Sequence, residues 1–520
     1  MVQERKTSLI PDYAWLAVCL VISSVWCIST ARNLGVTYDE PVYLKEGLHH
    51  WRSGSPASLM KLGTMPLPVD VQTLPLYIYE TSRGAPIDLD TEFHDVLPWA
   101  RHANLVFWIM LLIYAWFIAR HLGGPWAGRL AVTLLAFEPT LLAHASLATT
   151  DISVTACLLA FVYHFRVNRD QRWRWRIAWP ALFFALAILA KASGLVFGGI
   201  CMLVVDHQWR ASHTEDRPTF RKSYKDMWQI GLLAMLFVFI YCGSDFKPQA
   251  SFVRWAHQLP DGAFGSTMVW LSENLRLFSN AGEGIARQFS HNVRGHGAYL
   301  FGESVRRSFW YYFPVVLSIK LTLPLLLAPI LLCFLRIRAP QTQAKVMNWA
   351  LRCAVALLAF TVFCRVQIGV RLVMPLIAIA VVGLSASLVE SIRALQSGWR
   401  AQFAKGALAF GVLWTSTHAL MIWPNGICFI NRAWRQVDDD YQLVSAANLD
   451  WGQGLPELIQ FQKKHPELPL AVWYYGTDPL SEKLPMPTVK LHLIPKFSEA
   501  RIRREVKDRY LAVSTSFVGT

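Results

Sequence analysis

The strongest constraint on this chain is a series of long apolar blocks separated by short polar connections. They lie near residues 13–30, 103–119, 126–142, 148–165, 177–191, 193–206, 229–246, 312–335, 349–368, 372–390 and 406–424. A hydrocarbon layer about 30 Å thick offers backbone polar groups no partner but one another, so a chain crosses it as helices of roughly 17 to 25 apolar residues. The eleven blocks fit that requirement, the fifth and sixth being short enough to form one longer, bent element. Composition agrees: 54% of residues are hydrophobic, 16% are charged and the mean hydropathy is +0.31, whereas average soluble domains carry about 25% charged residues. The expected fold is an α-helical polytopic membrane protein with about 11 transmembrane helices over residues 1–424, followed by a region of different character over 425–520.

Charge sets the expected orientation. Arg5 and Lys6 precede the first block, and no small-residue cleavage pattern follows it, which predicts a retained helix with an inward N-terminus. Arg166, Arg169, Arg172, Arg174 and Arg176 separate blocks four and five, and Arg210, Arg217, Arg221, Lys222 and Lys225 separate six and seven. Positive loops stay inside. Arg336, Arg338, Lys345, Arg393, Arg400 and Lys405 fall on the same side when the blocks are threaded alternately. Residues 31–102, the turn 143–148, residues 247–311 and the tail after 424 are then outside. The net charge of +15 follows from this topology together with attraction to anionic headgroups, and the absence of a basic-aromatic stripe argues against a nucleic-acid partner.

Of the nine cysteines, all but Cys428 lie within apolar blocks, so neither a disulfide framework nor a zinc-ligand spacing is visible. In the tail, "AANLDWGQGLPELIQFQKKHPELPLAVWYYGTDP" predicts a loop carrying Asp450 and Trp451, a helix from near Pro456 and a strand over 470–475. With a second strand in "RYLAVSTSF", this makes a small α/β extracytoplasmic region, either closed by very few residues or cut short. Asp450 and Trp451 either cap and pin that helix, the reading the surrounding residues favour, or contact the acceptor.

Ionisable residues gather at the expected outer boundary. In "GVTYDEPVYLKEG", Asp39 and Glu40 follow the first block, and a short helix is predicted with Asp39 as N-cap, Pro41 in its first turn and Leu44, Leu48 and Trp51 on one face along the bilayer. Capping and the helix dipole account for an acid pair at this place; a reacting centre accounts for it too. "FEPTLLAHASLATTDISVT" brings Glu138, His144 and Asp151 to the next outer turn, and "ILAKASGL" brings Lys191, a natural ion-pair partner for Asp151. "SHNVRGHGAYLFGESVRRSFWYYFPVVLSIKLTLP" adds His291, Arg294, His296, Tyr299, Glu303, Arg306 and Arg307 before an aromatic belt at 309–313, with Lys320 two turns deeper. Lys320 either snorkels to the headgroups or joins Arg294 and His296 around a phosphate.

Taken in order, "TYDEP", "FEPTLLAHASLATTD", "AKASG", "GHGAYLFGE", "FWYYFPVVLSIK", "GVRLVMP" and "NLDWGQGL" resemble the bacterial GT-C class membrane glycosyltransferases related to protein O-mannosyltransferases and the lipid A aminoarabinose transferase, the glycosyltransferase family 39 type. The resemblance runs from about residue 34 to about residue 476. It implies a GT-C fold in the inner (plasma) membrane and transfer, on the periplasmic or extracellular side, of a sugar from a polyprenyl-phosphate donor to a hydroxyl of a protein, lipid or glycan. It also implies an active site built on the acidic pair. Displacing a lipid phosphate from an anomeric carbon calls for a base toward the acceptor and cations toward the leaving group. Asp39 is the expected base, giving inversion; Glu40 and Asp151 are the other acids. Arg294, His296, Lys320 and Arg371 are expected at the phosphate, with Glu138, His144, Lys191 and Tyr299 in support. No cofactor is required. The acids have the chemistry to bind a divalent ion, but their spacing does not demand one, so metal use stays open.

A transporter or flippase is the rival class, since boundary charges and broken helices also build substrate pathways. Such a protein distributes polar groups to both sides of its midplane, whereas here they cluster at one boundary.

Overall fold

A computed structural model describes residues 10–213, 219–336, 347–395, 398–435, 439–484, 486–489, 499–507 and 509–518. Arg5, Lys6, Arg217, Arg338 and Lys345, used above for orientation, lie outside these residues.

Every one of the apolar blocks is helical. Ile10–Asn33, Phe93–Gly123, Phe220–Cys242 and Val370–Ala394 are each long and apolar enough to cross a bilayer unaided. Tyr312–Lys320 and Leu323–Leu335 add a bent pair, turned by 108° at the break. The remaining blocks form Pro125–Ala136 with Pro139–Ala145, then Asp151–Val167, Trp179–Ala190, Ser193–Ala211, Trp349–Thr361 and Trp399–Met421. The fifth and sixth blocks are separate helices, divided where Lys191 adopts an extended backbone. A proline lies at or just after two of the breaks. Glu138, just before Pro139, takes the extended conformation that a following proline favours, and Leu321 is extended ahead of a helix whose second residue is Pro324. The blocks at 126–142 and 312–335 are therefore bent elements, a difference that mean hydropathy conceals.

Met374–Ala394 and Asp151–Val167 are buried around almost their whole circumference, as expected of apolar helices at the centre of a bundle. Charges placed in basic connections on sequence are partly neutralised inside it. Arg169 is buried against Asp206 and Asp226, and Asp12 is held by Arg120 and Arg129.

The first loop, whose opening helix is expected to lay Leu44, Leu48 and Trp51 along the bilayer, is a compact helical layer. Glu40–Ser53, Ala57–Leu62, Pro66–Arg83 and Phe93–Ala103 share a core of Val36, Leu44, Leu48, Leu76, Phe93 and Leu97. Leu44 and Leu48 thus face protein, not lipid, and Trp51 stacks on Tyr77 at 5.5 Å. The second loop comprises Ala250–Ala256, Ala263–Asn274, Ser279–Arg294 and an antiparallel hairpin, Ala298–Leu300 with Glu303–Val305. In the tail, Leu455–Lys464 precedes Leu470–Trp473, which pairs in parallel with Tyr510–Val513, Leu470 opposite Tyr510.

Candidate active site

Five chain segments meet at one end of the bundle. Asp39 stands before Glu40–Ser53, Asp151 opens Asp151–Val167, Lys191 follows Trp179–Ala190, Arg371 lies just ahead of Met374–Ala394, and Trp451 comes from the tail. Contacts among Asp39, Asp151, Lys191, Arg371 and Trp451 hold these positions together.

Arg371 is the hub. Its Nη1 donates to Asp39 Oδ2 at 2.7 Å and lies 3.8 Å from Asp151 Oδ2. Lys191 Nζ donates to the other Asp151 oxygen at 2.5 Å. Asp151 is fully buried, so its charge requires these cations. The Asp151–Lys191 pair expected on sequence is present, and Arg371 links it to Asp39. Asp39 keeps a side chain 21% exposed, whereas Arg371 keeps 7%. Asp151 is 0% exposed, so Asp39 is the more accessible of the two carboxylates facing Arg371, and its side chain makes no capping bond to the helix behind it. Arg371 Nε and Asp151 Oδ2 are buried without a hydrogen-bond partner among the described residues, as is His144 Nδ1.

The surroundings are aromatic. The Trp451 ring lies under the Arg371 guanidinium at 4.1 Å, and the His144 ring is 6.1 Å from Trp451. Tyr43 Oη is 3.4 Å from Asp39 Oδ2. Burial, then the Asp39 charge, pushes the Tyr43 hydroxyl well above the usual phenol range, so it stays a donor. His296 also feels this cluster: burial, then Arg371, holds its imidazole below the usual histidine range. Its Nδ1 is 2.9 Å from His291 Nε2.

Other candidates lie outside this cluster. Glu40 is fully buried and receives Arg101 Nε and Nη2 at 2.7 Å each, Thr37 N at 2.9 Å and Ala148 N at 3.0 Å. Burial raises its pKa, but Arg101 and these donors outweigh that and hold the carboxyl below the ordinary range. Arg101 also binds the carbonyls of Ala31, Leu34 and Gly35. Glu40 is thus the clasp that shapes the turn presenting Asp39. It does not share the Asp39 cluster, in contrast to the pairing expected from sequence.

Lys320 is likewise not at the headgroups, nor grouped with Arg294. It ends its helix, buried, with Nζ on the carbonyls of Ile427 at 2.7 Å and Asn448 at 2.6 Å. Glu138 binds Thr322 through Oγ1 at 2.7 Å, across the break in the bent pair. Arg294 ends the exposed side of Ser279–Arg294, where its Nε is 3.4 Å from Ser290 O. Tyr299 is buried in the hairpin opposite Ser304. Among the described residues, no group of three His, Cys, Asp or Glu is placed to hold a metal ion.

Sequence reasoning missed Trp451, Tyr43, Arg101 and Asn448 as parts of this arrangement. Asn448 accepts Val370 N at 2.8 Å and its carbonyl binds Lys320, so the "NLDW" segment and "GVRLVMP" are fastened together. Gly369, at φ +138°, passes Ala447 closely enough that an added Cβ would stand 3.2 Å from the Ala447 methyl. The quoted motifs held this signal, since "GVRLVMP" and "NLDWGQGL" each contain a glycine where backbones meet.

Residues 93–241 match the family model described as dolichyl-phosphate-mannose-protein mannosyltransferase. The segment includes Glu138, His144, Asp151 and Lys191; Asp39, Arg371 and Trp451 lie beyond it. Among solved structures, the chain is similar to ArnT from Cupriavidus metallidurans bound to undecaprenyl phosphate, with 13% identity, TM-score 0.46, and coverage of 98% of this chain and 90% of that one. It is also similar to an oligosaccharyltransferase from Archaeoglobus fulgidus, with 12% identity, TM-score 0.45 and coverage of 88% of this chain and 62% of that one. This chain therefore spans less than two thirds of the archaeal enzyme. Compared with curated proteins, the chain has no match.

Proposed function

We propose that this protein transfers a sugar from a polyprenyl-phosphate donor to an acceptor hydroxyl at the outer face of the inner (plasma) membrane, with inversion at the anomeric carbon. The observation that carries this reading is the arrangement of Asp39, Arg371 and Asp151: an accessible carboxylate sharing one guanidinium with a buried one. The match to the mannosyltransferase family over 93–241 supports a lipid-linked donor.

The chemistry divides among these residues. Arg371 presents a planar donor array suited to a phosphate, and its Nε has no hydrogen-bond partner among the described residues. An arriving lipid phosphate competes with Asp39 for that guanidinium and leaves the Asp39 carboxylate free to accept the proton of the acceptor hydroxyl. The acceptor oxygen attacks the anomeric carbon, the carbon–oxygen bond to phosphate breaks, and polyprenyl phosphate departs with the electron pair toward Arg371. Neutral His296 offers a further N–H near the same charges. Asp151, neutralised by Lys191, keeps Arg371 in place when Asp39 is engaged elsewhere. Attack opposite the leaving group needs no protein nucleophile, hence inversion.

The test is incubation of purified protein in lipid nanodiscs with a panel of short-chain polyprenyl-phosphate sugars and hydroxyl acceptors. Release of polyprenyl phosphate dependent on the acceptor is expected. Movement of an intact labelled donor between leaflets, with no donor cleaved, would overturn this reading in favour of a flippase.

A further inference from the structure

We infer that Trp451, in the tail beyond the family-matched segment, is a positioning residue that acts through Arg371, so that the active site is complete only when the tail is docked. This rests on the transferase reading for its functional consequence, though its geometric basis does not.

Two sets of contacts support it. First, Trp451 is 2% exposed and its ring is the platform under the Arg371 guanidinium, at 4.1 Å. Arg371 is otherwise held by acids on one side and would be free to swing as those acids change partners during a reaction. A flat aromatic face fixes the plane of a guanidinium while leaving its in-plane N–H groups available for oxygen ligands. Lysine lacks that plane. Second, the tail is fastened to the loop that carries Asp39. Tyr38 N donates to Trp451 O at 2.9 Å, Thr477 Oγ1 donates to Tyr38 O at 2.7 Å, and Tyr38 stacks on Tyr475 at 5.2 Å. Gly35 passes so near the tail that an added Cβ would lie 2.1 Å from Gln453 O. Trp451 is itself braced, its N–H donating to Gln453 Oε1 at 2.7 Å, and its ring packs with Leu34, Ala143, Leu147 and Ile427.

One residue thus touches both halves of the Asp39–Arg371 pair: its ring reaches the cation and its carbonyl reaches the residue next to the acid. A purely structural tryptophan would fill the apolar cluster without being coupled to Arg371.

The experiment is a double-mutant cycle on the full-length protein in nanodiscs, using Trp451→Leu, Arg371→Lys and the pair, with Trp451→Tyr as the conservative control. For polyprenyl-phosphate release, Trp451→Leu is expected to lower kcat about tenfold with donor KM changed less than about threefold, a size set by one partly desolvated cation–aromatic contact. Trp451→Tyr should recover most of the loss. The double variant should be hardly slower than Arg371→Lys alone, because the interaction lost is the same one. Additive losses would overturn the inference. A second readout does not depend on turnover: the rate at which phenylglyoxal modifies Arg371, located by peptide mass analysis. Faster modification in Trp451→Leu than in wild type is expected, and an equal rate would overturn the inference. If wild type cleaves no donor, the transferase reading fails, and the modification rates alone decide whether Trp451 covers Arg371.

Discussion

Replacing Glu40 by glutamine separates the architecture of the site from its chemistry. The Glu40 carboxylate is wholly buried and takes charge-assisted bonds from Arg101 as well as the amides of Thr37 and Ala148. Glutamine keeps the shape, but it removes the negative charge and turns one acceptor into a donor facing Arg101 or a backbone N–H. Removing one member of a buried, hydrogen-bonded ion pair costs roughly 3 to 5 kcal/mol, because the surviving charge stays buried. Arg101 retains the carbonyls of Ala31, Leu34 and Gly35, so the low end, about 3 kcal/mol, is expected. The assay is thermal unfolding in detergent beside Asp39→Asn. Glu40→Gln should melt well below wild type, whereas Asp39→Asn should melt close to it. The pH dependence has the same origin. The folded pKa of Glu40 lies below its unfolded value, so its contribution is full above the usual glutamate pKa and is lost as pH falls through the depressed one. Wild type should therefore lose stability on strong acidification, and Glu40→Gln should show less of that loss. A Glu40→Gln protein with wild-type melting and abolished turnover would refute this reasoning and put Glu40 at the reacting centre.

Lys320→Met retains the side-chain volume but leaves the carbonyls of Ile427 and Asn448 without their ammonium; a loss of about 1 to 3 kcal/mol in stability is expected, with donor KM unchanged, as measured by melting and initial rates. A rise in KM without destabilisation would place Lys320 at the phosphate. His296 is held below the ordinary histidine range, so it is neutral at pH 7, and protonation sets a second cation near Arg371. The His296 side chain is exposed, so solvent screens this shift: its stabilising contribution is full above the usual histidine pKa and declines only slightly below it, and a large flattening of the acid side of a melting-temperature profile in His296→Asn would contradict this.

Most of the bundle was legible because apolar runs of membrane length have few alternatives. Each block is helical, two of them broken into a pair of helices. The breaks at Glu138–Pro139 and Leu321–Pro324 were not legible from hydropathy, which averages over a proline that bends without adding polarity. The first loop was misjudged for a related reason. Leu44 and Leu48 show helical spacing, but spacing does not say whether lipid or a neighbouring helix covers the face, and the helices Pro66–Arg83 and Phe93–Ala103 supply the cover. Asp39 and Glu40 are adjacent in sequence yet point to different partners, Arg371 and Arg101, since consecutive residues at a helix start project in different directions. Long-range cations of this kind leave no local signature. Arg371 stands out at a block boundary, but its partners come from segments far along the chain, Asp39 lying 332 residues away.

The central claim is that Asp39 is the base in a transfer from a polyprenyl-phosphate sugar, and the single-turnover rate of donor cleavage tests it most directly. With a donor that wild type uses, Asp39→Asn should react about 10² to 10⁴ times more slowly while binding the donor with similar affinity, the range that a positioned general base contributes. Equal single-turnover rates for the two proteins would contradict it.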